Sequence, residues 1–111
     1  MSDPLTSQVL DTLFEAVRSR KGADPETSYT ASLYAMGTEK ISQKLGEEAV
    51  ELALAAVLEN RDGVISESAD LLYHLNVLWA NAGVEPSEIY AKLAEREGLS
   101  GLVEKASRST E

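Results

Sequence analysis

Carboxylates at helical spacing are the residues of this chain best placed to do chemistry. They fall in two strings, Glu47-Glu48-Ala49-Val50-Glu51 and Glu67-Ser68-Ala69-Asp70. At about 100° per residue, Glu47, Glu51 and Glu48 occupy an arc of about 100° on one helix face. Glu67 and Asp70, three apart, also share a face. Like charges at these spacings cost a helix about 0.2–0.5 kcal/mol per pair, so gathering such groups across two helices is poor design for stability alone. Divalent cations between them would turn repulsion into coordination. Hard oxygen donors, with neither Cys nor a His cluster beside them, select Mg²⁺ (or Mn²⁺) over zinc. The competing reading is a solvated acidic stripe, with Lys44 pairing to Glu47 or Glu48. Ile41, Leu45 and Leu52 flank the stripe on one side, and Val50, Leu54 and Val57 on the other. That apolar frame points the stripe into a cleft. Spacing alone leaves both readings open.

Cations and aromatics surround the acids. Lys40 and Lys44 share the helical stripe of Glu47 and Glu51, one and two turns earlier, where they could hold phosphate charge or simply offset the acids. Arg18, Arg20 and Lys21 are further phosphate candidates, although positive charge also suits the helix C-terminus where they sit. His74 lies one turn past Asp70, and a lone His in an apolar helix is most simply a hydrogen-bonded structural residue. Tyr73 and Trp79 read as core or subunit-interface residues, with base stacking an alternative for a Tyr.

Helices are required to position these groups. Val9, Leu10, Leu13, Phe14 and Val17 recur at helical spacing, which predicts a helix over Leu5 to Arg20. Gly22-Ala23-Asp24-Pro25 breaks that pattern. Ser28 suits the N-cap of a short helix running to Met36 and ended by Gly37. Thr38 is the expected N-cap of a long helix to about Asn60, despite the helix-weakening Gly46. After the turn signal Asn60-Arg61-Asp62-Gly63, a second long helix is expected over Asp62 to Ala82, stopped by Gly83. Pro86 then opens a shorter helix to about Glu97. The segment 98–111, rich in Gly, Ser and charge, reads as a fraying tail. There is no strand-period alternation, so the fold class is all-α. Its centre is an antiparallel pair of long helices that brings the two acidic clusters face to face.

Composition narrows the function classes. The 111 residues fit one domain, and ten Lys and Arg against nineteen Asp and Glu leave a net charge of −9. So acidic a chain repels a phosphate backbone, which argues against nucleic acid as a partner. Hydrophobic residues at 43% are enough for a core, and the absence of Cys removes disulfides, thiolate zinc sites and a Cys nucleophile. No apolar run approaches the roughly 18 residues of a membrane span, and Met1 to Gln8 does not resemble a signal peptide. A cytoplasmic location without membrane association is the expectation. A small domain whose long helices are apolar on two sides cannot cover them alone, which predicts self-association.

The assembled strings resemble a known family. Glu-Glu-x-x-Glu followed by Glu-x-x-Asp on adjacent helices is similar to the signature of the MazG-like all-α nucleotide pyrophosphohydrolases. Ser28-Tyr29-Thr30 with Leu33, Glu39-Lys40-Ile41 with Gln43-Lys44, Gly46-Glu47-Glu48-Ala49-Val50-Glu51 and Ser66-Glu67-Ser68-Ala69-Asp70-Leu71-Leu72-Tyr73-His74-Leu75 resemble the phosphoribosyl-ATP pyrophosphohydrolase family of histidine biosynthesis. The resemblance spans about Val9 to Glu97. In many organisms this domain is fused to a zinc-dependent cyclohydrolase with Cys ligands, and a short chain without Cys looks like the stand-alone form.

The resemblance implies Mg²⁺-dependent hydrolysis of 1-(5-phosphoribosyl)-ATP to 1-(5-phosphoribosyl)-AMP and pyrophosphate, in a helical bundle completed by homodimerisation. It implies Glu48, Glu51, Glu67 and Asp70 as metal ligands, with Glu47 either a further ligand or the group that deprotonates water. Lys40 and Lys44 would hold the departing pyrophosphate, and Tyr29 and Thr30 would line the phosphoribosyl side. Two other functions are compatible with the same acids: a house-cleaning pyrophosphohydrolase of (deoxy)nucleoside triphosphates, and a non-catalytic acidic module that binds a basic partner.

Overall fold

The computed structural model describes residues 6–97, and the tail expected over 98–111 lies outside them. Five α-helices follow one another: α1 (Val9–Ser19), α2 (Tyr29–Met36), α3 (Thr38–Val57), α4 (Arg61–Ala82) and α5 (Pro86–Arg96). No strand occurs among the described residues, and the all-α expectation holds. Nor is any helix among them long and apolar enough to cross a membrane.

The helix ends show where side chains decide the path. α1 starts at Val9, later than expected, with Leu5 outside the described residues. The N-cap Gln8 makes no side-chain cap, and the carbonyls of Thr6 and Ser7 accept from Val9 and Leu10 in a tight turn. Ser28 caps α2 as expected, its hydroxyl accepting from the Ala31 amide. The expected N-cap of α3 is displaced by one residue. Gly37, at φ +90°, makes the whole connection from α2, so Thr38 is already helical. The Thr38 hydroxyl instead accepts from Asn81 Nδ2 at 2.9 Å, tying the start of α3 to the end of α4.

α3 also stops earlier than expected, at Val57 rather than Asn60. Glu59 takes the left-handed conformation at φ +55°, its amide donates to Ala56, and the Asn60 amide donates to Ala55. This is a Schellman closure with Glu where Gly is usual. Asn60 then caps α4 by accepting from the Gly63 amide at 3.0 Å. One residue therefore ends one helix and begins the next, which makes the reversal tight. Gly83, at φ +74°, closes α4 in the same way, and Pro86 opens α5.

α3 and α4 form the antiparallel core pair, with α1 against α4 and α2 lodged over both. Phe14, Val17, Leu33, Ile41, Val77 and Ala80 make the buried cluster, and Leu13, Tyr34, Tyr73, Leu78 and Trp79 pack against it. Trp79 thus joins the core side of its two expected places. Only Ile41 and Ala55 of α3 are fully buried. Its flank of Val50, Leu54, Val57 and Leu58, with Ile65 and Leu72 of α4, is exposed. This agrees with the expectation that the long helices are apolar on two sides.

Candidate active site

Counting along α3 explains which acid turns inward. Ile41, Leu45, Glu48, Leu52 and Ala55 recur at steps of three and four, and all are buried or half-buried while most residues between them are exposed. Glu48 therefore occupies a core-facing position, seven residues from both Ile41 and Ala55. On α4, Glu67, Leu71, His74 and Leu78 form the corresponding inward stripe. Carboxylates at such positions are brought together by the packing of the helices around them.

Glu48, Glu67 and Asp70 each offer a carboxylate oxygen, and the three oxygens lie within 4.8 Å of one another. Glu48 Oε2 and Glu67 Oε2 are buried without a hydrogen-bond partner. Unpartnered buried oxygens are costly, and hard anionic oxygens at this separation fit a divalent cation. Burial pushes the Glu48 carboxyl above the usual glutamate range, and the charges of Glu51 and Asp70 push it further. Glu67 is raised likewise, first by burial and then by Glu51 and Glu48. Glu51 is thus electrostatically part of the group, from an exposed position at its edge.

Glu47 is placed differently. It is exposed, its carboxylate accepts from Gln43 Nε2 at 3.1 Å, and it lines an open concavity with Gln43, Gly46, Val50 and Glu51. Lys40 and Lys44 are half-buried on α3, and neither forms an ion pair among the described residues. The pairing of Lys44 with Glu47 or Glu48 required by a solvated stripe does not occur. Arg18 is taken up by Glu15 and Glu85, and Lys21 Nζ donates to the Ala80 carbonyl near the C-terminus of α4. These two serve helix ends.

An aromatic group adjoins the acids. Tyr29 is 55% exposed, and its ring stacks on that of Tyr73 at 6.2 Å between centroids. Thr30 shares a hydrogen bond with the Tyr73 hydroxyl, so its own hydroxyl is already engaged. Burial raises the Tyr73 phenol. His74 is buried beside both rings, with Nε2 3.8 Å from Glu48 Oε1. Its pKa is lowered by burial and by Lys44, against a weaker pull from Asp70. Helical spacing puts His74 on the acidic face, one turn past Asp70 and two past Glu67, with a hydrogen-bonded structural role expected ahead of that of a base or ligand; its Nδ1 is instead buried with no hydrogen-bond partner among the described residues.

The raised carboxyls make a sign-specific prediction. A carboxyl whose folded pKa exceeds its unfolded value takes up its proton first in the folded state. Stability from Glu48 and Glu67 therefore rises as pH falls from the raised values toward the ordinary glutamate value. His74 works the other way, losing stability as pH falls below the ordinary imidazole value. Glu67→Gln retains His74 and isolates the carboxyl contribution. In calorimetry without metal, the variant is expected to melt above the wild type at neutral pH, and the gap is expected to close on mild acidification. A gap that stays constant with pH would show that Glu67 carries no strained charge.

The family model described as phosphoribosyl-ATP pyrophosphohydrolase matches residues 10–97. The chain is similar to the phosphoribosyl-ATP pyrophosphatase of Azospirillum brasilense, 57% identical over 108 residues that cover 97% of each chain. That of Paramagnetospirillum magneticum is 55% identical over 103 residues, covering 93% of this chain and 94% of the relative. That of Rhodospirillum rubrum is 52% identical over 108 residues, covering 97% and 92%.

Proposed function

From the premise that this chain belongs to the phosphoribosyl-ATP pyrophosphohydrolase family, we propose that it hydrolyses 1-(5-phosphoribosyl)-ATP to 1-(5-phosphoribosyl)-AMP and pyrophosphate, a step of histidine biosynthesis. The observation that carries this reading beyond similarity is the meeting of the Glu48, Glu67 and Asp70 oxygens, two of the carboxylates presenting buried oxygens that nothing else satisfies.

In this reading Glu48, Glu51, Glu67 and Asp70 hold Mg²⁺ (Mn²⁺ being the chemically closest substitute). The ion supplies positive charge that neutralises the triphosphate and acidifies water beside it. Everything else is work for the chain. Glu47 lies outside the three-carboxylate group and is oriented by Gln43; it takes the proton of the water that breaks the anhydride between the α and β phosphates. Lys40 and Lys44, whose ammonium groups have no carboxylate partner among the described residues, meet the negative charge of the departing pyrophosphate. Tyr29 offers its exposed ring to the phosphoribosyl-purine side, and Thr30 fixes the Tyr73 ring on which it stacks.

We place the reaction in the cytoplasm, carried out by a two-fold homodimer of one domain over residues 1–111. The exposed apolar flank of α3 and α4 supports that assembly. The test is pyrophosphate release from phosphoribosyl-ATP, with and without Mg²⁺. Turnover that requires the ion is expected. Release from dCTP or dUTP with none from phosphoribosyl-ATP would move the chain to the house-cleaning function. A lack of turnover on all three, with no thermal stabilisation by Mg²⁺, would leave a binding module.

A further inference from the structure

His74 is a buried polar ring that the chemistry above leaves without a task. It is 6% exposed, and Nδ1 is buried with no hydrogen-bond partner. Nε2 faces Glu48 Oε1 at 3.8 Å. Tyr73 and Tyr29 stand nearly perpendicular to the imidazole, at 79° and 88°, with centroids 5.1 and 6.4 Å away. Tyr73 is anchored in turn by Thr30. The ring is therefore held in plane and in direction from two sides.

Such a residue is expensive as mere filling. A bare acceptor in a buried place costs stability, and Leu would occupy similar space without it. A neutral imidazole carries one N–H and one bare nitrogen. The nitrogen facing a carboxylate takes the N–H, which leaves Nδ1, the nitrogen without a hydrogen-bond partner among the described residues, as the bare acceptor. Glu48 is divided in the same way: Oε1 faces the imidazole, and Oε2 is buried without a partner. At 3.8 Å the contact is longer than a hydrogen bond, so it acts as a directional attraction that favours one carboxylate rotamer.

We propose that His74 is a positioning residue for Glu48: its Nε2–H holds Oε1 and so leaves the buried, unpartnered Oε2 for the ion that Glu67 and Asp70 would share. The inference rests on Glu48 being a metal ligand and adds a residue that contributes no ligand itself. Groups that orient a ligating side chain commonly change metal affinity by about 10–100-fold.

The test is titration of the metal-free full chain with Mn²⁺, following unbound ion by its electron paramagnetic resonance signal. His74→Leu is expected to weaken binding by about 10–100-fold. His74→Gln, whose amide nitrogen reaches the Nε2 position, is expected to restore most of that loss. His74→Asn, whose amide ends near the Nδ1 position, is expected to bind as weakly as the Leu variant. The metal-free melting temperature of His74→Leu is expected to hold or rise, since a bare acceptor has been removed. Equal Mn²⁺ affinity in all variants would overturn the proposal, as would a Gln variant as weak as the Leu one. Loss of metal-free stability in parallel with loss of binding would reduce His74 to a structural role. If His74→Leu does not fold, the Gln and Asn pair decides by the same comparison. Glu48→Gln separates the two layers. Wild-type affinity in that variant removes the ligand reading, whereas lost affinity there with unchanged His74 variants removes only the positioning role.

Discussion

Glu48→Gln and Asp70→Asn are each expected to lower pyrophosphate release from phosphoribosyl-ATP by at least about a thousandfold, equivalent to about 4 kcal/mol of transition-state stabilisation. Each change keeps the side chain's shape and removes one negative charge from the group whose oxygens lie within 4.8 Å. A triphosphate is polyanionic, and an acidic pocket binds it only when cations outweigh the carboxylates. In the proposed site, loss of one anionic ligand would weaken cation binding and misplace what remains, so the effect is expected on turnover more than on folding. Circular dichroism is expected to be unchanged, because neither residue contributes an apolar contact to the buried cluster. Metal-free melting is expected to hold or rise as like-charge repulsion is relieved. Retention of activity within tenfold in both variants would remove the metal assignment.

Leu54→Glu is expected to convert the protein from a particle of twice 12.0 kDa to one of 12.0 kDa in size exclusion with light scattering. Val50, Leu54 and Val57 recur at four and three residues along α3 and are 59%, 56% and 77% exposed. They form one stripe with Leu58, and Ile65 and Leu72 of α4 are exposed as well. Isolated surface Leu residues need no explanation, but a contiguous apolar flank on a chain of net charge −9 does. Burying a Leu side chain stabilises by about 1.5–3 kcal/mol. A Glu in its place at a two-fold interface forfeits that gain and sets two like charges against each other. In a lone chain the same Glu would simply be solvated, so the variant spares the fold and acts on assembly. A wild type that already elutes at 12.0 kDa, or a Leu54→Glu variant that remains paired, would put the interface elsewhere.

Much of the architecture was legible before any coordinate. Helical periodicity, Ser28 before α2, Gly83 after α4 and Pro86 at the start of α5 are local signals, and local hydrogen bonding answered them. The misplacements lie at Gly37–Thr38 and at Val57–Asn60. There a connection of one to three residues forces Gly37 to replace Thr38 as the cap, and makes Asn60 serve both helices. Propensity does not register that shortage of chain.

The candidate site divides along the same line. Amino-acid order alone determined that five carboxylates recur on two neighbouring helices, that no thiolate competes with them, and that Lys40 and Lys44 lie alongside. The packing of the helices added that the Glu48 oxygen, and not one from Glu51, lies within 4.8 Å of those of Glu67 and Asp70, that Lys44 forms no ion pair among the described residues, and that His74 stands against Glu48. The reason is geometric. Spacing defines an arc of about 100° on a helix, whereas a cation or a proton needs oxygens placed to within about 1 Å. The rotation of α3 and α4 about their own axes sets that placement, and it is governed by the apolar residues they bury, Ile41 and Val77 among them, not by the acids.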